Sequence, residues 1–377
     1  MNMLRIRAVA RKEFVHIIRD PRSLGMSIAI PMLLLLLFGF ALTLDVDNVP
    51  IAIWDQDNSQ ESREFISRFS GSPYFSLKEY VRNYPQLERA IDSGEALTAL
   101  VIPRGFAGKI ESGRHVSVQM IVDGSDSNTA TIAMGYADVI TMIYSQDLGL
   151  QKIHRLGGVE LSLPLDMRPR VWFNEDLESK NYIIPGLIAV IMMVIAALLT
   201  SLTVAREWER GTMEQLISTP VKKQELILGK LLPYFAIGMF DVILAVVMGE
   251  FLFEVPLRGN VALLFAMAAI FLVGALSLGM FISIVTKSQL LASQLAMVTT
   301  FLPAFLLSGF MYAISNMPKM IQVMTHLIPA RYFVALLKGI YLKGIGLNIL
   351  YMEAGLLSLF GVLMFALANV KFKKKLE

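Results

Sequence analysis

Cysteine is absent from the 377 residues, which excludes disulfides, thiolate catalysis and cysteine-based metal sites. Histidine is nearly absent. His16, His115, His154 and His326 share no metal-ligand spacing and read as isolated surface or interfacial side chains. Charge is scarce as well: 17% of residues are charged against 55% hydrophobic, and the mean hydropathy is +0.58. No ordinary soluble protein has that composition, and it points to several membrane spans. The net charge of +3 is small, so no nucleic-acid partner is implied.

Motifs are missing too. No G-x-x-x-x-G-K-[ST] loop occurs; its nearest fragments are Gly108–Lys109 and Gly229–Lys230, without an upstream glycine or a following hydroxyl residue. The chain therefore does not hold ATP by that route. No Ser/His/Asp order and no H-E-x-x-H pattern appears. Neither a catalytic residue, a metal site nor a cofactor of its own is expected.

What is present is long apolar runs. About 20 residues cross ~30 Å of hydrocarbon, and runs of that size fall at 24–44, 181–204, 231–253, 261–286, 289–312 and 347–369. The first follows a basic N-terminus but is too long for a signal peptide. The following LDVDNVP lacks a small-x-small cleavage site, so the run reads as an uncleaved anchor. An even number of spans puts both termini on one side. The N-terminus carries Arg5, Arg7, Arg11, Lys12, Arg19 and Arg22, and the tail 370–377 carries Lys371, Lys373, Lys374 and Lys375. The connector 205–230 adds Arg206, Arg210, Lys222, Lys223 and Lys230, whereas the loop 254–260 has only Arg258. The positive-inside rule places termini and connector in the cytoplasm.

The fold class is thus an α-helical integral membrane protein with six transmembrane helices. Residues 313–346 lie on the outer side by this count, yet carry Lys319, Arg331, Lys338 and Lys343. They read as two short helices, starting at Pro318 and after Pro329, in a re-entrant hairpin before the last span. Residues 45–180 have soluble character and form an inserted extracytoplasmic α/β domain. VPIAIWD (49–55), ALTALVIP (96–103) and HVSVQMIVD (115–123) read as strands. Helices are expected at about 58–70 and 84–93, and a long one capped by Asp126 at about 127–154. Residues 1–23 read as an amphipathic helix on the cytoplasmic leaflet, with Ile6, Ala10, Phe14 and Ile17 on one face and Arg5, Lys12 and Arg19 opposite.

The connector AREWERGTMEQLISTPVKKQELILGK is over-built for a turn back into the membrane. Thr212 and Gln215 are spaced as a capping box, Gly211 precedes as a hinge and Pro220 ends the short helix. Met213, Leu216 and Ile217 give it a small apolar face, and Glu207, Glu209, Arg210 and Glu214 supply charge for register. Inside the spans, Asp241 is open to two readings: a substrate or proton site, or an interhelical hydrogen bond. Gln294, Thr299 and Thr300 either line a pathway with it or join helices.

The connector resembles the coupling segment of ABC exporter permeases of the type-2 class. VWFNEDLESKNYIIPG (171–186), LPAFLLSGFMY (302–312) and IPARYF (328–333) match the same family. DGSDSNTA (123–130) is similar to its multidrug-export branch, which has a large first external loop. The resemblance implies a permease subunit in the bacterial inner membrane that exports amphiphilic small molecules or drugs. It also implies two cytoplasmic ATPase subunits that carry the ATP and Mg, docked on the connector helix. A second permease, identical or a sister chain, completes the machine, with room for a periplasmic adaptor. Lipid-linked glycan or sodium export, or a non-transporting scaffold or sensor, are the alternatives.

Overall fold

The structure is a computed structural model that describes residues 2–42, 46–155, 172–174 and 178–372. It divides into two compact units, Leu44–Pro169 and the remainder of the chain.

The larger unit opens with α1 (Met3–Arg19) and α2 (Pro21–Ala41). In α1 the buried residues are Ile6, Val9, Glu13 and Ile17. This corrects the face read from sequence, because Phe14 is 50% exposed. The stripe is centred on Val9 and Glu13, and a buried charge in the middle of a stripe hides it from any hydropathy wheel. The N-terminal cap is Asn2, whose side chain accepts from the Leu4 N–H.

The smaller unit alternates strand and helix: β1 (Val49–Asp55), α3 (Gln60–Ser70), β2 (Phe75–Tyr80), α4 (Tyr84–Asp92), β3 (Thr98–Ile102), α5 (Phe106–Glu111), β4 (Gln119–Val122) and α6 (Ser127–Arg155). The sheet order is β2-β1-β3-β4. β1 pairs in parallel with β2 and β3, and β4 pairs antiparallel with β3. Strand alternation divides the side chains between two faces. Val49, Ile51 and Ile53 pack with Phe65, Phe69, Phe106 and Ala137 from the α3, α5 and α6 side. Ala52, Ala99 and Val101 pack with Leu87 and Ala90 of α4. Asp126 sits just before α6, where its carboxylate accepts from the Asn128 N–H (3.0 Å) and the Thr129 hydroxyl (2.5 Å). Asp57 accepts from the N–H groups of Gly105 (2.7 Å) and Ala107 (3.0 Å), which holds its carboxyl below the usual carboxylate range.

The larger unit resumes with α7 (Ser179–Glu209), α8 (Thr212–Ser218), α9 (Lys223–Phe251), α10 (Val261–Thr286), α11 (Gln289–Leu307), α12 (Lys319–Thr325), α13 (Pro329–Lys343) and α14 (Leu347–Lys371). Five of these, α7, α9, α10, α11 and α14, are long and apolar enough to cross a membrane. α12 and α13 bend by 85° at their break, and counted as one broken span they bring the number to six. The expected first span, 24–44, falls on α2, whose apolar part is the shorter stretch Ser27–Ala41. The expected connector 205–230 is mostly helix. α7 runs on to Glu209 and α9 starts at Lys223, which leaves α8 as an elbow between two long helices.

α7 is apolar all round and 89% of its apolar window is buried, as expected of a helix at the centre of a bundle. Thr200 of α7 donates its hydroxyl to the Leu276 carbonyl of α10 (2.9 Å). Ser283 of α10 accepts from the N–H groups of Val204 (3.0 Å) and Ala205 (2.9 Å). Such interhelical hydrogen bonds contribute about 0.6–2 kcal/mol each in lipid. They fix the end of α7 from which the elbow starts.

Candidate functional site

The elbow is built by a change of backbone direction. Arg210 closes α7, and Gly211 follows at φ +71°, in the left-handed region. A side chain there costs roughly 1–2 kcal/mol. Gly211→Val is therefore expected to lower stability by about that amount, read as a lower melting temperature of the purified chain in neutral detergent.

The capping box expected at Thr212 and Gln215 is not formed. α8 begins without a side-chain cap, because the Thr212 hydroxyl turns back to Glu207 (2.5 Å to Oε2). Glu207 is the hub. Its Oε1 accepts from Lys12 Nζ of α1 (2.8 Å) and Lys230 Nζ of α9 (3.2 Å). Lys230 also donates to Glu13 of α1 at 2.6 Å. Glu13, Glu207 and Lys230 are at most 8% exposed. The four charged residues sum to zero, the condition under which buried charge is tolerated. Thus α1, α7, α8 and α9 are tied at one point.

A second tie lies at the start of α9. Glu225, fully buried, accepts from the backbone N–H of Lys222 (2.9 Å) and of Asn2 (2.7 Å). Arg5 stands 3.7 Å from the same carboxylate and donates to the Pro220 carbonyl at 2.5 Å. Between the two ties the helices touch closely. A Cβ built on Gly229 would lie 2.7 Å from Val9 Cβ and 3.1 Å from the Ile6 carbonyl oxygen.

Glu209 faces elsewhere. Its carboxylate accepts from the Gln289 N–H (2.7 Å) and from the Gln289 amide, which supplies the side-chain partner that α11 lacks at its first turn. Arg206 donates to Gln289 (3.3 Å) and to His16 Nε2 (3.2 Å). His16 is thus not an isolated side chain as its sequence position implied. A cavity of about 150 Å³ lies beside this network, lined among others by Glu13, Arg206, Glu207 and Tyr234.

The expected apolar face of α8 points inward. Met213 is fully buried in the chain's own core, and Leu216 and Ile217 are half-buried against it. This corrects the reading of Met213 as part of a small apolar contact face, because the chain's own core takes it up; Leu216 and Ile217 keep part of their surface open. What remains exposed around α8 is Arg210, Glu214, Gln215 and Ser218, a polar ridge.

The residues read as a pathway are not brought together. Asp241 on α9 is fully buried, and neither carboxylate oxygen has a hydrogen-bond partner among the described residues. The interhelical hydrogen bond is therefore not made. On α11, Gln294 and Thr299 are exposed and Thr300 is buried. Thr299 and Thr300 donate back to Leu295 (2.6 Å) and Ala296 (2.6 Å) of their own helix. Sequence reasoning passed over Glu13, Gln289, Glu225 and the pairing role of Lys12 and Lys230. The available signal was a lone acid in the apolar stripe of α1 and a lone lysine in the apolar start of α9. No cluster of three or more metal-ligating side chains occurs among the described residues.

A family profile described as "ABC-2 family transporter protein" matches residues 21–370. The chain is 37% identical to the probable multidrug ABC transporter permease YbhS of Escherichia coli, over 99% of this chain and 98% of that protein. It is 31% identical to the probable multidrug ABC transporter permease YbhR of the same species, over 92% of each. The linearmycin resistance permease protein LnrN of Bacillus subtilis is 22% identical over 97% of this chain and 98% of its own length.

Proposed function

This chain belongs to the ABC-2 family of transporter proteins, and from that premise we propose that it is the permease subunit of an ATP-driven exporter in the bacterial inner membrane. It is a transport subunit and not an enzyme. ATP and Mg belong to two cytoplasmic ATPase subunits, and a second permease, identical or a sister chain, completes the assembly. Both termini and α8 are cytoplasmic in this reading, and the unit 44–169 lies outside, where an adaptor can reach it. The naming of YbhS as a probable multidrug permease and of LnrN as a linearmycin resistance permease supports amphiphilic small molecules as the cargo.

One observation carries the coupling role of α8. A seven-residue helix is gripped from within by buried charge while its outer ridge is left polar and bare. A rigidly backed, exposed ridge transmits a push; a solvated loop absorbs it. In this reading Arg210 and Glu214 meet the ATPase, with Leu216 and Ile217 at the rim. Met213, Thr212, Glu207 and Glu209 hold the elbow from behind.

The test is reconstitution with the ATPase subunit. Arg210→Glu combined with Glu214→Lys inverts the ridge charges, and like charges facing each other cost several kcal/mol. Permease-stimulated ATP hydrolysis should fall to the basal level while membrane insertion is unaffected. Stimulation at the wild-type level would sink the docking assignment.

Asp241, a carboxyl with no partner to lose, stays a candidate for the transport path. Asp241→Asn should alter stability by less than about 1 kcal/mol but slow export from inverted vesicles. Export at the wild-type rate and with the wild-type pH dependence would remove it from the mechanism.

A further inference from the structure

Three of the segments that carried the family resemblance have no part in the elbow. They are the lead into α7 (171–186), the end of α11 and its turn (302–312), and the start of α13 (328–333). Residues 178–186 of the first meet the other two at the other end of the bundle. Tyr182, at the start of α7, donates its hydroxyl to the Gly309 carbonyl at 3.1 Å. Lys338 of α13 donates to the same carbonyl at 2.9 Å, and its Nζ stands 3.2 Å over the Tyr182 ring. Arg331 Nη1 reaches back to the Gln322 carbonyl (3.2 Å), the Thr325 hydroxyl and His326 Nδ1 (3.0 Å).

Tyr182, Gly309, His326, Arg331 and Lys338 line a cavity of about 390 Å³, within the size range of small-molecule sites. One wall is cationic, with Lys338 and Arg331 beside His326. Another is apolar, from Ile314, Val334, Ala335, Met352 and Leu356. Glu353 also lines it, but neither Lys338 nor Arg331 forms an ion pair with a carboxylate among the described residues. The flanking helix α12 is apolar and bare, with Met320 83% and Val323 69% exposed, so the cavity stands beside surface suited to a bilayer interface.

Cations in no ion pair among the described residues, an aromatic ring against one of them, and an apolar wall make a complementary set. We propose that this cavity binds an anionic amphiphile, its phosphate or carboxylate at Lys338 and Arg331 and its chain along Met352 and Leu356. It rests on the reading of the chain as an exporter of amphiphiles. The occupant is either a bilayer lipid or an exported compound; both present the same chemistry.

The probe is dodecyl phosphate, titrated calorimetrically against the full chain in phosphatidylcholine nanodiscs, with dodecylphosphocholine as the zwitterionic control. Saturable binding of dodecyl phosphate, at least about tenfold tighter than the control, is expected. Lys338→Gln should weaken it about tenfold, Lys338→Arg should retain it, and Lys319→Gln, outside the cavity, should change nothing. Ala335→Phe fills the cavity without touching charge and should weaken binding even if Lys338→Gln does not fold. Competition by phosphatidylglycerol nanodiscs identifies a bilayer lipid as the occupant; its absence identifies a free amphiphile. Equal affinity for the zwitterion, or affinity insensitive to Ala335→Phe and to any Lys338→Gln protein that folds, overturns the proposal. No ATPase takes part in these measurements, so their failure leaves the coupling assignment standing.

Discussion

Lys230→Met should lower the stability of the folded chain by about 3–5 kcal/mol, the cost of leaving a buried charge without its partner. The reason is asymmetric. Lys230 is 1% exposed and is the cation against Glu13, which is itself 4% exposed. Glu207 retains Lys12 and Thr212 when Lys230 is removed, whereas no other cation pairs with Glu13 among the described residues. Adding Glu13→Leu to Lys230→Met removes the orphaned carboxylate and leaves the neutral pair Lys12–Glu207. Replacing a buried ion pair by apolar groups is often neutral or stabilising, so the double variant should recover most of the loss. Thermal unfolding in a neutral detergent reads both. A single variant that melts like wild type, or a double variant no better than the single, would show that the pair is not what joins α1 to α9.

Gly229→Leu is the second large effect. Here the helices and not the charges are in contact, since even a Cβ would stand 2.7 Å from Val9 Cβ and 2.8 Å from its Cγ1. Overpacking a well-filled contact costs typically ~1–3 kcal/mol. Glu13 lies one helical turn beyond Val9, so relief by moving α1 away also opens the Glu13–Lys230 pair. The loss is then concentrated at the N-terminal helix, while α7, α10 and α14 pack elsewhere. Limited proteolysis should cleave α1 in the variant and spare it in the wild type, with the spans still inserted. Permease-stimulated ATP hydrolysis should fall with it, because α8 loses its backing. An α1 as resistant as the wild type's would place the clamp elsewhere.

Much of this architecture is legible in the chain because the bilayer permits few solutions. The runs at 261–286 and 347–369 lie on α10 and α14 nearly residue for residue. The bend between Thr325 and Pro329 is announced by Pro329. β1 is legible as a short apolar run closed by Asp55. β2 is not, because FSLKEY is an edge strand with its outer side in water and little hydrophobic signal. The elbow was the least legible part. Hydropathy shows where α8 is apolar but not that the chain's own core covers Met213. The charged quartet, three of its members buried, was invisible because those members lie far apart in the chain. Lys12 and Lys230 counted toward topology, which uses the same charges for another purpose. Only the fold shows that each has a carboxylate within 3.2 Å.

Burial of Glu13, Glu207 and Lys230 separates two sets of charges by their response to salt. At 1 M ionic strength the screening length contracts to ~3 Å, and contacts between exposed charges weaken. The ridge at Arg210 and Glu214 belongs to that class; Glu13, Glu207 and Lys230, closed to solvent, do not. A salt wash therefore has a defined reach. It screens the charges on the outside of α8 and leaves α8 itself anchored, so that the elbow keeps its shape through the wash and presents the same ridge when the salt is withdrawn.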